Sequence, residues 1–265
     1  MKKRELAVNG SFYPASCSEI KKYINHFNNI LEKNNFTVDT NIIPKALISP
    51  HAGYIYSGFS ANIVYRYLQN SNIKNIIVIG PSHRVYLEGI SVSNYEIYPT
   101  PCGDLSINQT IVNSLTEKFD FVKFIPEVHK EHSTETQMPF IQHYKNDVNI
   151  VELVYGKVDF NNIAQVISYL MEDKDNFIVI STDLSHFYTQ EIANELDNIC
   201  LNGIKDLDLQ TLNSGCEACG ILGVKAIIKI AKELGLSSKI LDYRTSADAS
   251  NDYNKVVGYT SALFY

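Results

Sequence analysis

The chain has 265 residues, of which 45% are hydrophobic and 20% charged, a composition typical of a globular protein with a sizeable core. Its formal net charge of -6 provides no basic surface for nucleic acid or for an anionic membrane. No run of about 18 uncharged apolar residues marks a membrane span, and the basic start Lys2-Lys3-Arg4 lacks the apolar segment of a signal peptide. We therefore expect a cytoplasmic protein that binds neither nucleic acid nor membrane.

Helical and strand patterns alternate along the chain. Residues 16–33 repeat apolar side chains at helical spacing, and the run at 46–48 is apolar on both faces, as in a buried parallel strand. A helix over 58–68 then leads to a second apolar strand at 75–79, which completes a β-α-β unit. Further strands are predicted at 90–92, 121–125, 149–154, 177–181, 240–243 and 259–264. Further helices are predicted at 106–119, 134–145, 159–172, 189–205 and 218–234.

This alternation predicts the α/β class, with a mostly parallel or mixed central sheet and helices on both faces. No repeat, linker or low-complexity segment divides the chain, so we expect a single domain over residues 1–265. Because a β-α-β unit lays its two strands parallel, the strands at 46–48 and 75–79 are predicted to be neighbours. Their carboxyl ends then lie at the same edge of the sheet.

Ionisable side chains follow three of the apolar strands. His51 follows the first strand, His83 follows the second, and Asp183 and His186 follow the strand at 177–181. Ligands of open α/β sheets bind outside the carboxyl ends of the strands. A lone histidine is more often a packed or surface residue than a ligand, but three similar strand endings together favour a shared site.

The segment EHSTE, which begins at Glu131, opens a predicted helix. A polar loop that caps this helix explains Glu131 and Ser133 as well as a functional role does. His132 and Glu135 can still reach a neighbouring site from the start of the helix, whereas His129 is expected at the surface. The roles of Glu131 and Glu135 stay open at this point.

The five cysteines are an odd number, which indicates a reducing compartment where thiols act as small apolar side chains or ligands rather than as disulfides. Cys216 and Cys219 form a CxxC pair, but no second pair completes a structural zinc site. Cys219 directly precedes a glycine and a long apolar helix, whose dipole is expected to lower the pKa of the thiol and favour metal ligation. An inert buried thiol is the alternative for Cys219, and the role of Cys216 stays open.

His51, His83 and Cys219 together form a soft set of three ligands with room for water or substrate. Such a set suits iron, copper or zinc rather than magnesium or calcium. Asp183 and His186 would then orient the ligands or move protons. The chain has no GxGxxG, P-loop, HExxH or GxSxG motif, so nucleotide binding and several hydrolase classes lack support.

Taken together, these motifs resemble the Memo family, protein B of the AmmeMemoRadiSam system. The resemblance covers nearly the whole chain, and the order of its segments is more specific than any one of them. The segments are NGSFYPAS, SPHAGYIYSG, GPSH, TPCGDL, EHSTETQMPF, STDLSH, ACG and VVGYTSALF.

The resemblance implies a fold similar to class III extradiol ring-cleaving dioxygenases, which bind non-haem iron through two histidines and a carboxylate. A thiolate in place of the carboxylate softens the site and adds a ligand that can itself be oxidised. The resemblance therefore implies a redox role for the metal and puts ring cleavage in doubt. It places the metal ligands on His51, His83 and Cys219, the acid-base positions on Asp183 and His186, and His132 in the same pocket.

Three functional hypotheses follow. The first is one iron or copper ion per chain in redox chemistry on a small molecule or a modified residue of a peptide. The second is a module without turnover that binds a radical-SAM partner. The third is zinc-dependent hydrolysis, with zinc on His51, His83 and Cys219 and with Asp183 or Glu135 as base.

Overall fold

The computed structural model describes residues 2–69 and 71–265, which form eleven strands and ten α-helices. The strands are β1 (Ala46–Ser49), β2 (Asn75–Pro81), β3 (Ile90–Val92), β4 (Ile97–Thr100), β5 (Gly103–Ile107), β6 (Val122–Lys123), β7 (Asn149–Tyr155), β8 (Asn176–Ser181), β9 (His186–Tyr188), β10 (Ser238–Thr245) and β11 (Val256–Phe264). The helices are α1 (Cys17–Lys33), α2 (Tyr54–Tyr65), α3 (Gln109–Lys118), α4 (His132–Glu135), α5 (Met138–Tyr144), α6 (Phe160–Met171), α7 (Gln190–Lys205), α8 (Leu209–Asn213), α9 (Ile221–Glu233) and α10 (Ala247–Ser250).

The central sheet has the strand order β10-β11-β1-β8-β2-β7-β3-β6. The β4–β5 hairpin joins it through β5 on β7, and β9 pairs with β11. β8 lies parallel to β1 on one side and parallel to β2 on the other. The prediction that β1 and β2 are neighbours is therefore wrong, because a strand about 100 residues later in the chain inserts between them.

The predicted α/β class with a mixed sheet is confirmed. β1, β8, β2 and β7 are parallel, whereas β11 is antiparallel to β1 and β10, and β3 is antiparallel to β7 and parallel to β6. Every residue of β1, β2 and β8 is buried, so both faces of the sheet are covered, as continuous apolar strands require. α6 and α9 pack against β8, and α2 packs against β1 and β11. Among the described residues, no helix is long and apolar enough to cross a membrane.

The structure differs from the predicted elements at several points, and the short helices α8 and α10 were not predicted. The predicted helix over 134–145 is two helices, α4 and α5, because Pro139 lacks the N–H that would continue the hydrogen bonds of α4. The predicted strand at 121–125 is shortened to β6. β4, β5 and β9 were not predicted, because each is only three to five residues long and depends on pairing with a distant strand.

Four of the five cysteines form disulfides. Cys17–Cys102 links α1 to the turn between β4 and β5, and Cys200–Cys216 links α7 to the segment before α9. The expectation of reduced thiols is therefore wrong for these four residues. Their sequence separations of 85 and 16 residues do not reveal that the paired Cα atoms lie 4.6 and 4.7 Å apart. Cys219 is the free cysteine of the described chain.

A buried ion network packs against α4. Arg4 is 2% exposed; its Nη1 donates to Glu135 Oε2 over 2.6 Å, and its Nη2 lies 3.3 Å from Glu152 Oε1. His129 is buried rather than at the surface, because its ring nitrogens contact Glu152 and Ser91. Burial alone would raise the pKa of Glu152, but Arg4 and His129 lower it to about 2.

We expect Arg4→Met to lower the free energy of unfolding by about 3–5 kcal/mol near neutral pH, because the change leaves buried carboxylates without their cation. The pKa of Glu152 is lower in the folded protein than its ordinary value of 4.5, so its stabilisation is complete above pH 4.5 and is lost as the pH falls towards 2. Urea denaturation at a series of pH values measures both effects, and the variant should lose less stability on acidification than the wild type.

Lys3→Met is the matched control for this prediction. Lys3 pairs with Asp104 on the surface, and both side chains are about half exposed. The loss of this pair should cost less than about 1 kcal/mol. Equal losses in the two variants would show that the Arg4 network contributes no more than a surface ion pair.

Candidate metal centre

Three strand ends meet at one edge of the sheet. His51 lies two residues beyond β1, His83 two residues beyond β2 and Asp183 two residues beyond β8. Since β8 lies between β1 and β2, Asp183 follows a strand whose end lies between those that precede the two histidines. The Asp183 carboxylate accepts a hydrogen bond from the backbone N–H of His51 over 2.8 Å. The side chains expected at this edge therefore lie together there.

His132, the first residue of α4, adds a third imidazole. Its ring centroid lies 4.4 Å from that of His83 and 5.3 Å from that of His51, and the last two are 5.1 Å apart. Each ring offers one nitrogen, and the three nitrogens lie within 4.8 Å of one another. Within residues 2–69 and 71–265, this is the group of histidine, cysteine and carboxylate side chains that is compact enough to hold a metal ion.

Glu131 orients two of these rings. Its Oε2 accepts a hydrogen bond from the backbone N–H of His83 over 2.7 Å, and its Oε1 lies 3.1 Å from His83 Nδ1. The same Oε1 lies 2.8 Å from His132 Nδ1, although this contact lacks the angle of a hydrogen bond. Glu131 is also the N-cap of α4 and accepts from the N–H of Ser133. The helix therefore begins two residues earlier than predicted, with a carboxylate as its cap.

Hydrogen bonds from β8 hold α4 and His51 in place. Ser181, the last residue of β8, lies with its Oγ 2.9 Å from His51 Nδ1 and donates to the carbonyl of Ser133. Ser133 in turn donates to the carbonyl of Pro81 at the end of β2. Gly80 permits this approach, because a Cβ there would lie 2.6 Å from Ser133 Oγ. Ser133 is thus a buried support of the site, not part of a solvated loop.

Cys219 reaches the site from the segment before α9. Its Sγ lies 3.3 Å from His51 Nε2 and accepts a hydrogen bond from the backbone N–H of Asp183 over 3.2 Å. Gly220 allows this close packing, because a Cβ there would lie 2.6 Å from Thr182 Cβ. Cys219 is therefore beside His51, outside the group formed by the three imidazoles.

The electrostatic surroundings of Cys219 oppose the expected thiolate. Burial, followed by the nearby Asp183 carboxylate, raises the pKa of Cys219 to about 12. Hydrogen bonds from the Asp183 N–H, the Thr182 hydroxyl and the Gly220 N–H act in the other direction but are weaker. The expectation of a lowered pKa is therefore wrong for the metal-free protein. Burial and the neighbouring imidazoles lower the pKa of His51 well below its usual value, which keeps this ring neutral and able to bind a metal.

His186 and Asp183 lie on the side of the site nearest to Cys219. His186 is half-buried in β9 and lines a cavity of about 240 Å³ together with Cys216, Glu217, Ala218 and Cys219. Burial raises the pKa of Asp183, although the His51 N–H and the nearby His186 ring partly offset this effect. A larger cavity of about 680 Å³ lies between α3 and the end of α6, and no histidine or cysteine lines it.

Glu135 does not face the site. Its carboxylate accepts hydrogen bonds from Arg4, from the N–H groups of Ala7 and Val8, and from Tyr13 OH. It thereby holds the N-terminal segment against α4, and Phe12 of this segment packs on His132 with ring centroids 4.7 Å apart. The idea that Glu135 is a catalytic base is therefore wrong. The sequence does not decide the role of Glu131. Its position directly before His132 is the one feature of the sequence that indicates a role at the site.

In the metal-free protein, we expect iodoacetamide to modify Cys219 near pH 8 roughly 10³ times more slowly than a free cysteine. The reason is that the thiolate is the nucleophile, and the pKa of Cys219 is about 12. Mass spectrometry of the intact chain measures the rate, which should still be rising above pH 10. Cys219→Ser provides the unlabelled control, and rapid modification of the wild type near pH 8 would disprove the raised pKa.

The chain matches the family model described as Memo-like protein over residues 4–263. It is 32% identical to a MEMO1 family protein of Thermoplasma volcanium, over 98% of this chain and 97% of the relative. It is 33% identical to one of Methanobrevibacter smithii, over 98% and 99%, and 30% identical to one of Aquifex aeolicus, over 100% of both chains. The chain therefore belongs to the Memo family.

Proposed function

We propose that the protein is a metal-dependent redox protein that holds one iron or copper ion through His51, His83 and Cys219. The observation that carries the proposal is the approach of Cys219 Sγ to within 3.3 Å of His51 Nε2, beside two further imidazoles. Two nitrogens and a sulfur make a soft donor set, which favours copper and iron over magnesium and calcium.

The spacing of Cys219 and His51 fits that of two ligands on one metal ion. Metal–nitrogen bonds of about 2.0–2.1 Å and metal–sulfur bonds of about 2.3 Å place the nitrogen and sulfur of a tetrahedral site about 3.5 Å apart. The 3.3 Å between Cys219 Sγ and His51 Nε2 is close to this value. Ser181 contacts Nδ1 of His51 and leaves Nε2 available for the metal. A bound iron or copper ion would supply one-electron redox chemistry, and the thiolate would supply an easily oxidised ligand.

The remaining residues bind the substrate and handle protons. The carboxylate of Asp183 fixes the backbone of His51, and the imidazole of His186 faces the cavity beside Cys219, where it can accept or return a proton of the substrate. His132 lines the opposite side of the histidine group. A cavity of about 240 Å³ accommodates a small organic molecule or one modified side chain of a peptide, and these are the substrate classes we propose.

One observation favours a second function, recruitment of a protein partner such as a radical-SAM enzyme. Phe187 directly follows His186, is 72% exposed, and has a φ of 66°, a backbone conformation that is strained for a bulky side chain. Backbone strain of this kind is typical of functional sites, so the exposed ring of Phe187 beside His186 is suited to contact another protein. Zinc hydrolysis receives less support, because Glu135 is directed away and only Asp183 remains as its base.

We expect the wild type, purified without chelator, to contain up to one iron or copper ion per chain and the His51→Ala, His83→Ala double variant to contain none. Each of the two substitutions removes a nitrogen ligand, and the loss of either ligand alone leaves too few donors for tight metal binding. Metal analysis of the purified proteins measures the content, and His26→Ala is the control because His26 is exposed and distant in sequence from the site.

Thiolate ligation is tested on the same preparations by absorption spectroscopy. A thiolate-to-metal charge-transfer band that disappears in Cys219→Ser is expected for iron or copper, whereas zinc gives no such band. A wild type without metal, together with partner binding that survives the double histidine change, would replace the redox proposal with the recruitment function.

A further inference from the structure

Glu131 is a fully buried carboxylate beside the three imidazoles. Among the described residues, the ionisable side chains in contact with its carboxylate are those of His83 and His132, not of a lysine or arginine. The hydrogen bonds to its oxygens come from His83 and from the N–H of Ser133. A buried negative charge is costly unless a positive charge offsets it. The site therefore favours a cation on the far side of the two rings.

The contacts of Glu131 also determine which nitrogens face that cation. Its Oε1 lies 3.1 Å from His83 Nδ1 and 2.8 Å from His132 Nδ1. An ionised carboxylate only accepts hydrogen bonds, so His83 carries its proton on Nδ1. The 2.8 Å approach of Oε1 favours a proton on His132 Nδ1 as well, although this contact lacks the angle of a hydrogen bond. The lone pair of each ring is then on Nε2, the nitrogen that points away from Glu131.

His51 does not depend on Glu131 in this way. Its Nδ1 contacts Ser181 Oγ over 2.9 Å, and its Nε2 is directed towards Cys219. Two separate sets of contacts therefore orient the three imidazoles. Ser181 at the end of β8 contacts His51, and the carboxylate of Glu131 contacts both His83 and His132.

We propose that Glu131 is a positioning residue that sets the tautomer and the direction of His83 and His132 together. Both rings then direct Nε2 into the same pocket, where His83 would bind the metal ion beside His51 and Cys219 and His132 would line the pocket. The charge of the ion would offset the buried carboxylate. Carboxylates that orient ligating histidines in this manner commonly contribute to metal affinity. The part that concerns the metal rests on the proposed function, whereas the tautomers can be tested without metal.

The first experiment measures metal affinity. Iron(II) and copper(I) are titrated without oxygen against a competing chelator, and Glu131→Gln is expected to bind each metal about 10–100-fold more weakly than the wild type. The amide removes the charge and replaces one acceptor with a donor. Glu135→Gln is the matched control, because Glu135 is equally buried and lies in the same helix α4 but faces Arg4. It should lower the melting temperature and weaken metal binding by much less than Glu131→Gln does, because Glu135 contacts none of the three imidazoles directly.

The second experiment observes the rings directly in the metal-free protein. Long-range ¹H–¹⁵N spectra at about pH 8.5, where an ordinary imidazole is neutral, distinguish the two tautomers. We expect the Nδ1–H form for His83 and His132 in the wild type, and a mixture with the Nε2–H form in Glu131→Gln. The His51 signals should not change. Substitution of a residue with only a structural role would not change the tautomer populations of His83 and His132 while leaving those of His51 unchanged.

The two experiments separate the inference from the proposed function. Nε2–H tautomers in the wild type, or equal metal affinities of Glu131→Gln and the wild type, would overturn the positioning role. If Glu135→Gln weakens metal binding as much as Glu131→Gln does, general damage to α4 explains the loss and the inference is wrong. A wild type with the expected tautomers that binds neither metal would contradict the proposed function and leave the positioning of the rings supported.

Discussion

The insertion of β8 between β1 and β2 is the constraint on which the site depends. Parallel pairing on both sides of β8 brings its carboxyl end between those of β1 and β2. Ser181 and Asp183 then contact His51 through its ring and its backbone. With β8 between them, β1 and β2 lie about 10 Å apart, at a strand spacing of about 4.8 Å, and Ser181 and Asp183 fill the gap between their ends.

Burial determines the chemistry of the groups gathered there. It keeps the ring of His51 neutral and raises the pKa of both Asp183 and Cys219. Glu131 is the exception, since the close His132 ring and the hydrogen bonds from His83 and Ser133 outweigh its burial and keep its pKa low. The edge of the sheet thus combines neutral donors with the ionised carboxylate of Glu131. This combination prepares the site for a cation, because each donor retains a lone pair and the fixed charge is negative.

Distant parts of the chain support this arrangement. Glu135 fastens the N-terminal segment to α4 and thereby packs Phe12 on His132. The Cys200–Cys216 disulfide fastens the segment that leads to Cys219 onto α7. The imidazoles and the thiol are therefore held from opposite sides by a buried ion network and by a covalent link. Such supporting contacts fix ligand positions more tightly than strand ends alone would.

The sequence by itself determined the α/β class, most of the helices and the central strands, because continuous apolar runs and helical spacing are local signals of burial. It also indicated that His51, His83 and Asp183 lie at one edge, since each follows an apolar strand. Only the tertiary structure decided the order of the strands, the two disulfides and the buried state of His129. It also separated Glu131, which faces the site, from Glu135, which faces Arg4. The physical reason is that the strand order, the disulfides and the burial of polar side chains depend on contacts between residues far apart in the chain. A polar residue looks the same in the sequence whether it is buried and paired or exposed to water.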